Sequence, residues 1–180
     1  MDKSGEIVIP NEEIRFLFIH QINEWVSDVL KNEEQIRNTV YHAVKNEDSL
    51  AIEKQLNLFL KNTISIRDTN SRNSLKENFY HGILLGLLEH GLSWRVKSNP
   101  ETGDGYADIL IIDDTDDLET AIVFELKYAH DGNLEKACDE ALNQIEVKRY
   151  ADIEDFEDVK EVIRYGIAFY RKRCKVKIGK

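Results

Sequence analysis

Three charged residues in the second half of the chain, Asp108, Glu125 and Lys127, have types and spacings suited to chemistry. Asp108 closes the run Gly103-Asp104-Gly105-Tyr106-Ala107-Asp108 and opens the apolar stretch Ile109-Leu110-Ile111-Ile112. Glu125-Leu126-Lys127 ends a second apolar stretch. Residues two apart on a strand leave from the same face, so Glu125 and Lys127 point together while Phe124 and Leu126 turn into apolar packing. If the two strands pair as a hairpin, Asp108 meets the Glu125–Lys127 end, and two carboxylates and one ammonium share a small volume. Two carboxylates that close repel and take up a proton unless a cation lies between them. A hard divalent ion, Mg²⁺ or Mn²⁺, answers that need with few protein ligands, the rest being water and substrate phosphate. The Leu126 carbonyl, beside the carboxylates, is a further candidate ligand. A metal held there acidifies a bound water, and Lys127 is placed to orient that water or to neutralise charge developing on a phosphoryl group. The set suits hydrolysis of a phosphodiester.

These residues need a sheet to hold them. Residues 93–96, 108–112 and 121–126 read as strands, with 99–105 as a turn region and the acidic run Asp113-Asp114-Thr115-Asp116-Asp117-Leu118-Glu119 as a solvated hairpin tip. The run Ile109–Ile112 does not alternate, as expected of a strand covered on both faces. Leu134, Ala137, Cys138, Ala141, Leu142 and Ile145 follow helical spacing. A short helix is predicted over 152–159, then strands over 164–170 and 175–178. Ahead of the strands, Phe79, Ile83, Leu84, Leu87 and Leu88 mark a helix capped by Ser74 and closed by Gly91. Earlier still, the spacing predicts helices over 12–30, including Trp25, and around Ile36–Val44 and Ile52–Leu60. The polar stretch Arg67-Asp68-Thr69-Asn70-Ser71-Arg72-Asn73 is the best boundary. The expected organisation is a helical lobe or linker region over 1–73 and an α/β domain over 74–180, a mixed sheet flanked by helices.

Composition narrows the classes. The chain has 180 residues, 42% hydrophobic and 32% charged, enough for a folded core and too apolar for a disordered chain. No apolar run is long enough for a membrane span and no signal peptide is evident, so a cytoplasmic setting without membrane contact is expected. Two cysteines exclude a disulfide scaffold and a four-cysteine zinc site. The net charge of −10 argues against a nonspecific nucleic-acid coat. The basic tail from Arg171 to Lys180 runs against it, as either a nucleic-acid-facing edge or a lysine-protected edge strand.

Asp108 followed by Glu125-Leu126-Lys127 resembles the PD-(D/E)xK nuclease superfamily, whose restriction-endonuclease-like core has the element order read above. Several segments resemble more narrowly the bacterial proteins in which such a domain follows an AAA-ATPase-like domain. These are Ile9-Pro10-Asn11-Glu12-Glu13-Ile14-Arg15, Glu77-Asn78-Phe79-Tyr80-His81-Gly82, Gly103-x-Gly105-x-x-Asp108, Phe124-Glu125-Leu126-Lys127 and Gln144-Ile145-x-x-Lys148-x-Tyr150. The resemblance implies Asp108 and Glu125 as ligands of Mg²⁺ or Mn²⁺ and Lys127 as the catalytic lysine. It also implies Glu77 as a helix-borne acid assisting the metal or its water, and Gln144 as a polar residue near the site. Tyr106 departs from it, since close relatives carry arginine there. The chain holds no phosphate-binding loop of its own. It therefore reads as the C-terminal part of a larger protein or a stand-alone relative, with an AAA-ATPase-like partner and a homodimer both open.

The plainer alternatives stay beside these readings. Glu77 stands three after Ser74, the spacing of a capping box. His81, four after Glu77, reads either as a residue that orients Glu77 or, more plainly, as its helix-surface partner. Gln144 can be a solvated helix residue, Gly103 and Gly105 turn residues needing positive φ, and Cys138 simple packing. The function expected is a metal-dependent nuclease acting on DNA in preference to RNA. The alternative is an inactive nuclease-fold module that binds DNA or docks to a partner ATPase.

Overall fold

The computed structural model describes residues 34–64, 73–89, 94–113, 119–150 and 159–179. The helix predicted over 12–30, the polar boundary, the acidic tip from 114 to 118 and most of 152–159 lie outside them.

Helix α1 (Glu34–Lys45) buries Val40, Ala43 and Val44. It ends where Glu47 takes a left-handed φ of 54°, letting the Asp48 N–H reach the Ala43 carbonyl at 2.8 Å and the Glu47 N–H reach Val44. This is a Schellman closure. Asp48 then caps α2 (Ser49–Thr63), its side chain accepting from the Ala51 N–H at 2.9 Å. Ile52, Leu56, Phe59 and Leu60 are the buried stripe of α2, each contributing about 1.5–3 kcal/mol of burial. Helix α3 (Asn73–Leu88) starts one residue before Ser74, which therefore lies inside the helix. Its last turn is closed by the Trp94 indole N–H, which donates to the Leu88 carbonyl at 3.0 Å.

Strands β1 (Trp94–Ser98), β4 (Ile109–Asp113), β5 (Glu119–Tyr128), β6 (Val159–Tyr170) and β7 (Arg173–Gly179) form one sheet in the order β1-β4-β5-β6-β7. The turn region at 99–105 holds a small hairpin of its own, β2 (Glu101–Thr102) against β3 (Gly105–Tyr106). Gly103 at its tip has φ +51°, as a two-residue hairpin turn requires, and a Cβ there would lie 2.3 Å from the Arg149 carbonyl oxygen. Helix α4 (Leu134–Val147) connects β5 to β6, which run parallel; the other pairs in the large sheet are antiparallel. Strand β6 begins at Val159, so the end of the predicted short helix is strand.

The sheet is covered on both faces, and all five residues of β4 are buried as their lack of alternation predicted. On one face Ile109, Ile111, Ile122, Phe124, Leu126, Tyr165 and Ile167 pack under α1, α2 and α3 in a single core. The described helices of the predicted lobe thus share their core with the sheet. On the other face Leu110, Ile112, Ala121 and Val123 pack against Ile145 and Tyr150. Gly166 lets α4 settle there, since a Cβ would come within 2.6 Å of the Cys138 carbonyl. The edge strand β7 is sealed by α2: Asn57 bonds both the N–H and the carbonyl of Cys174, at 2.9 and 3.0 Å, and Glu53 accepts from the Val176 N–H. This is the mixed, helix-flanked α/β architecture of a restriction-endonuclease-like core.

Candidate active site

The antiparallel register of β4 and β5 sets Ile109 across from Phe124. One step beyond, it places Asp108 across from Glu125. Asp108, Glu125 and Lys127 fall on the face that α4 covers, while Phe124 and Leu126 enter the core beneath α3. Asp108 lies just outside the ladder, where its Oδ2 accepts from the Leu126 N–H at 2.7 Å. That bond fixes the carboxylate over the end of β5. A strand residue's N–H and C=O leave from the same edge, so the Leu126 carbonyl also faces the Asp108 side.

Glu125 is 2% exposed. Its Oε1 accepts from Lys127 Nζ at 2.8 Å, and its Oε2 is buried with no hydrogen-bond partner among the described residues. Burial, then the nearby Asp108 carboxylate, pushes the Glu125 carboxyl up to about 7, against the pull of Lys127. Burial also raises Asp108, opposed first by the Leu126 N–H. Burial alone would lower Lys127, but Glu125, Asp108 and Glu77 together raise it, so it stays an ammonium. The centre holds more negative charge than one lysine satisfies.

Two residues on α3 support it. The Oε1 of Glu77 accepts from the Tyr128 N–H at 3.1 Å, next to Lys127. His81 is buried rather than paired with Glu77 at the surface: its Nε2 carries the proton and donates to the Asp108 carbonyl at 2.9 Å. Sequence reasoning missed this role, the only signal being a histidine four residues after Glu77. Gln144 is half-buried on α4, and its Nε2 donates to the Tyr150 hydroxyl at 3.3 Å. Tyr150 is itself buried against Ala107 and Leu110. Its hydroxyl lies 3.1 Å from where a Gly105 Cβ would stand, so Gly105 is small to admit Tyr150 rather than to reach positive φ. Tyr106, beside it, is 62% exposed.

The residues fit a hard divalent ion. Among the described residues no group of three His, Cys, Asp or Glu side chains forms a metal cage. The donor set is smaller: two carboxylates, one with an orphaned oxygen, and a carbonyl on the same edge. That is the sparse protein complement with which Mg²⁺ keeps several waters and takes substrate phosphate oxygens. Among the described residues no helix is long and apolar enough to cross a membrane.

No curated protein matches the chain. A family model described as the PD-(D/E)XK nuclease superfamily matches residues 75–178, which include α3 from its third residue, the sheet up to Ile178, α4 and every residue of this site. The chain belongs to the PD-(D/E)XK nuclease superfamily.

Proposed function

We propose that the protein is a metal-dependent nuclease hydrolysing nucleic-acid phosphodiester bonds, with DNA as the preferred substrate over RNA. The observation that carries this reading is the buried Oε2 of Glu125, opposite Asp108 and without a hydrogen-bond partner among the described residues. Asp108, Glu125 and the Leu126 carbonyl would hold Mg²⁺ or Mn²⁺. The ion supplies an acidified water and charge stabilisation on the phosphate. Lys127, kept protonated by three carboxylates, orients the attacking water and offsets charge on the phosphate oxygens; it does not serve as the base. Glu77 fixes the backbone that carries Lys127, through the Tyr128 N–H. His81 fixes the backbone that carries Asp108. Gln144 sets the β2–β3 hairpin beside the site, through Tyr150.

Plasmid, linear DNA and RNA, each incubated with Mg²⁺ or Mn²⁺, test this beside Lys127→Ala and Asp108→Ala. Cleavage by the wild type alone supports it, and equal traces in all three proteins refute it. Tyr106, exposed where the resemblance leads one to expect arginine, favours a second reading. In that reading the module binds DNA or docks to a partner AAA-ATPase-like protein, alone or as a homodimer, without turnover. It predicts binding that Lys127→Ala leaves unchanged. A cytoplasmic location suits the two buried free thiols, Cys138 and Cys174.

A further inference from the structure

The tip of the β6–β7 hairpin lies at the same end of the sheet as the carboxylates. Lys127 pairs with Ala168, Tyr128 with Phe169, and Tyr170 with Arg173 across the turn. By strand spacing the Arg173 Cα lies about 12 Å from that of Lys127, two strands over on the same face, or about three nucleotides of duplex rise. The tip sequence Tyr170-Arg171-Lys172-Arg173 carries three cations on a chain of net charge −10.

Those cations are organised. The guanidinium groups of Arg171 and Arg173 lie over the Tyr170 ring, 5.2 and 5.6 Å from its centroid. Lys76, at the start of α3, places its ammonium 4.6 Å from the Tyr128 ring centre, and the Tyr128 and Tyr170 rings are 6.0 Å apart. Among the described residues none of these three cations is in an ion pair, whereas Lys175 and Lys177 farther along β7 are paired with Glu53, Glu135 and Asp139. The tip is also held rigid. The Tyr80 hydroxyl donates to the Arg171 carbonyl at 2.6 Å, and Lys172 Nζ donates to the Lys61 carbonyl at 2.6 Å. Arg171 has φ 55°, a left-handed conformation in which glycine or asparagine is at ease and arginine is not. Its side chain is exposed, and among the described residues the contact it makes with the protein is the one over the exposed side of Tyr170 at the tip itself. A strained residue kept where glycine would serve the fold points to use of that side chain.

We infer that this tip is the docking edge for the nucleic-acid strand that reaches the carboxylate site, with Arg171, Arg173 and Lys76 holding its phosphates. The inference rests on the nuclease reading for its substrate. Contacts of this kind address the backbone, so they bind without sequence preference and weaken with salt.

Fluorescence anisotropy of a labelled single strand and its duplex, in EDTA over a salt series, tests it. The proteins compared are wild type, Arg171→Gly, Arg173→Gln and, as a control on another surface, Lys136→Ala. Each arginine variant is expected to weaken binding about three- to tenfold and to flatten the slope of log affinity against log salt by about 0.7 to 0.9. Arg171→Gly does so with its melting temperature unchanged or raised, since glycine accepts the left-handed turn. Unchanged affinity and slope in both arginine variants, or an equal loss in Lys136→Ala, overturns the inference. A wild type that binds through these arginines but cleaves with neither metal leaves the docking edge standing and removes the nuclease. A wild type that cleaves, with arginine variants that bind and cleave equally well, does the reverse.

Discussion

Replacing Glu125 with glutamine should stabilise the metal-free protein by an amount that grows as pH rises from about 4.5 and is complete above about 7. The Glu125 carboxyl titrates near 7 in the fold against 4.5 for an ordinary glutamate. Between those values the folded chain holds a proton that the unfolded chain has released, so stability falls as pH rises through the window and the loss is complete above it. At about 1.4 kcal/mol per unit, carrying ionised Glu125 costs the metal-free fold about 3 kcal/mol. Glutamine has nearly the same shape, cannot ionise, and still offers Lys127 an acceptor in place of Oε1. Near pH 4 wild type and Glu125→Gln should nearly match, because the wild-type carboxyl is then mostly protonated in the folded and unfolded chain alike. Near pH 8.5 in EDTA the variant should be more stable by about 3 kcal/mol, about 6–12 °C in melting temperature for a chain of this length. Saturating Mn²⁺ at the higher pH should close the gap by stabilising the wild type alone, by about 2.7 kcal/mol at a hundred times Kd. Urea denaturation at the two pH values, with and without Mn²⁺, reads each quantity. A stability difference that does not change with pH, or a variant weaker than wild type at both values, refutes the electrostatic account of the site.

Lys127→Met should lower the cleavage rate by about 100- to 1000-fold while leaving nucleic-acid binding intact; it should also destabilise the fold at high pH by about 1–3 kcal/mol, because buried Glu125 loses the ammonium that donates to its Oε1. Parallel cleavage, binding and urea measurements check this. Gly103→Ala meets both a positive φ and the Arg149 carbonyl, and should cost about 2–4 kcal/mol, read as a lower urea midpoint. Tyr80→Phe removes the hydroxyl that holds the Arg171 carbonyl and should cost about 1 kcal/mol, a fall of about 2–4 °C in melting temperature.

The site was legible where local rules decide it. Period two put Glu125 and Lys127 on one face, the unbroken run Ile109–Ile112 announced a strand covered on both sides, and hairpin pairing brought Asp108 to them. The partners that steady the site come from residues far apart in sequence, and no periodicity records them. His81 reaches the Asp108 carbonyl, Glu77 the Tyr128 amide and Asn57 the edge of β7 only once the helices pack on the sheet. Gly105 looked like a turn residue because the Tyr150 ring that fills its missing side chain lies 45 positions away. The β2–β3 hairpin escaped notice because two-residue strands leave no pattern. Strand β6 was read too short because Val159-Lys160-Glu161-Val162 alternates poorly and follows an acidic, helix-like stretch. The basic tail looked like one feature and is two: its strand lysines bind acids on α2 and α4, while its turn arginines lie on Tyr170.

The claim on which the rest depends is that Asp108 and Glu125 together bind one divalent ion. Calorimetric titration of Mn²⁺ into wild type, Asp108→Asn and Glu125→Gln near pH 8 tests it most directly, since both carboxyls are ionised there once metal displaces their proton. One ion per chain in the wild type, with heat lost in both variants, is the predicted result. Absence of binding in the wild type, or equal binding in all three proteins, would contradict it.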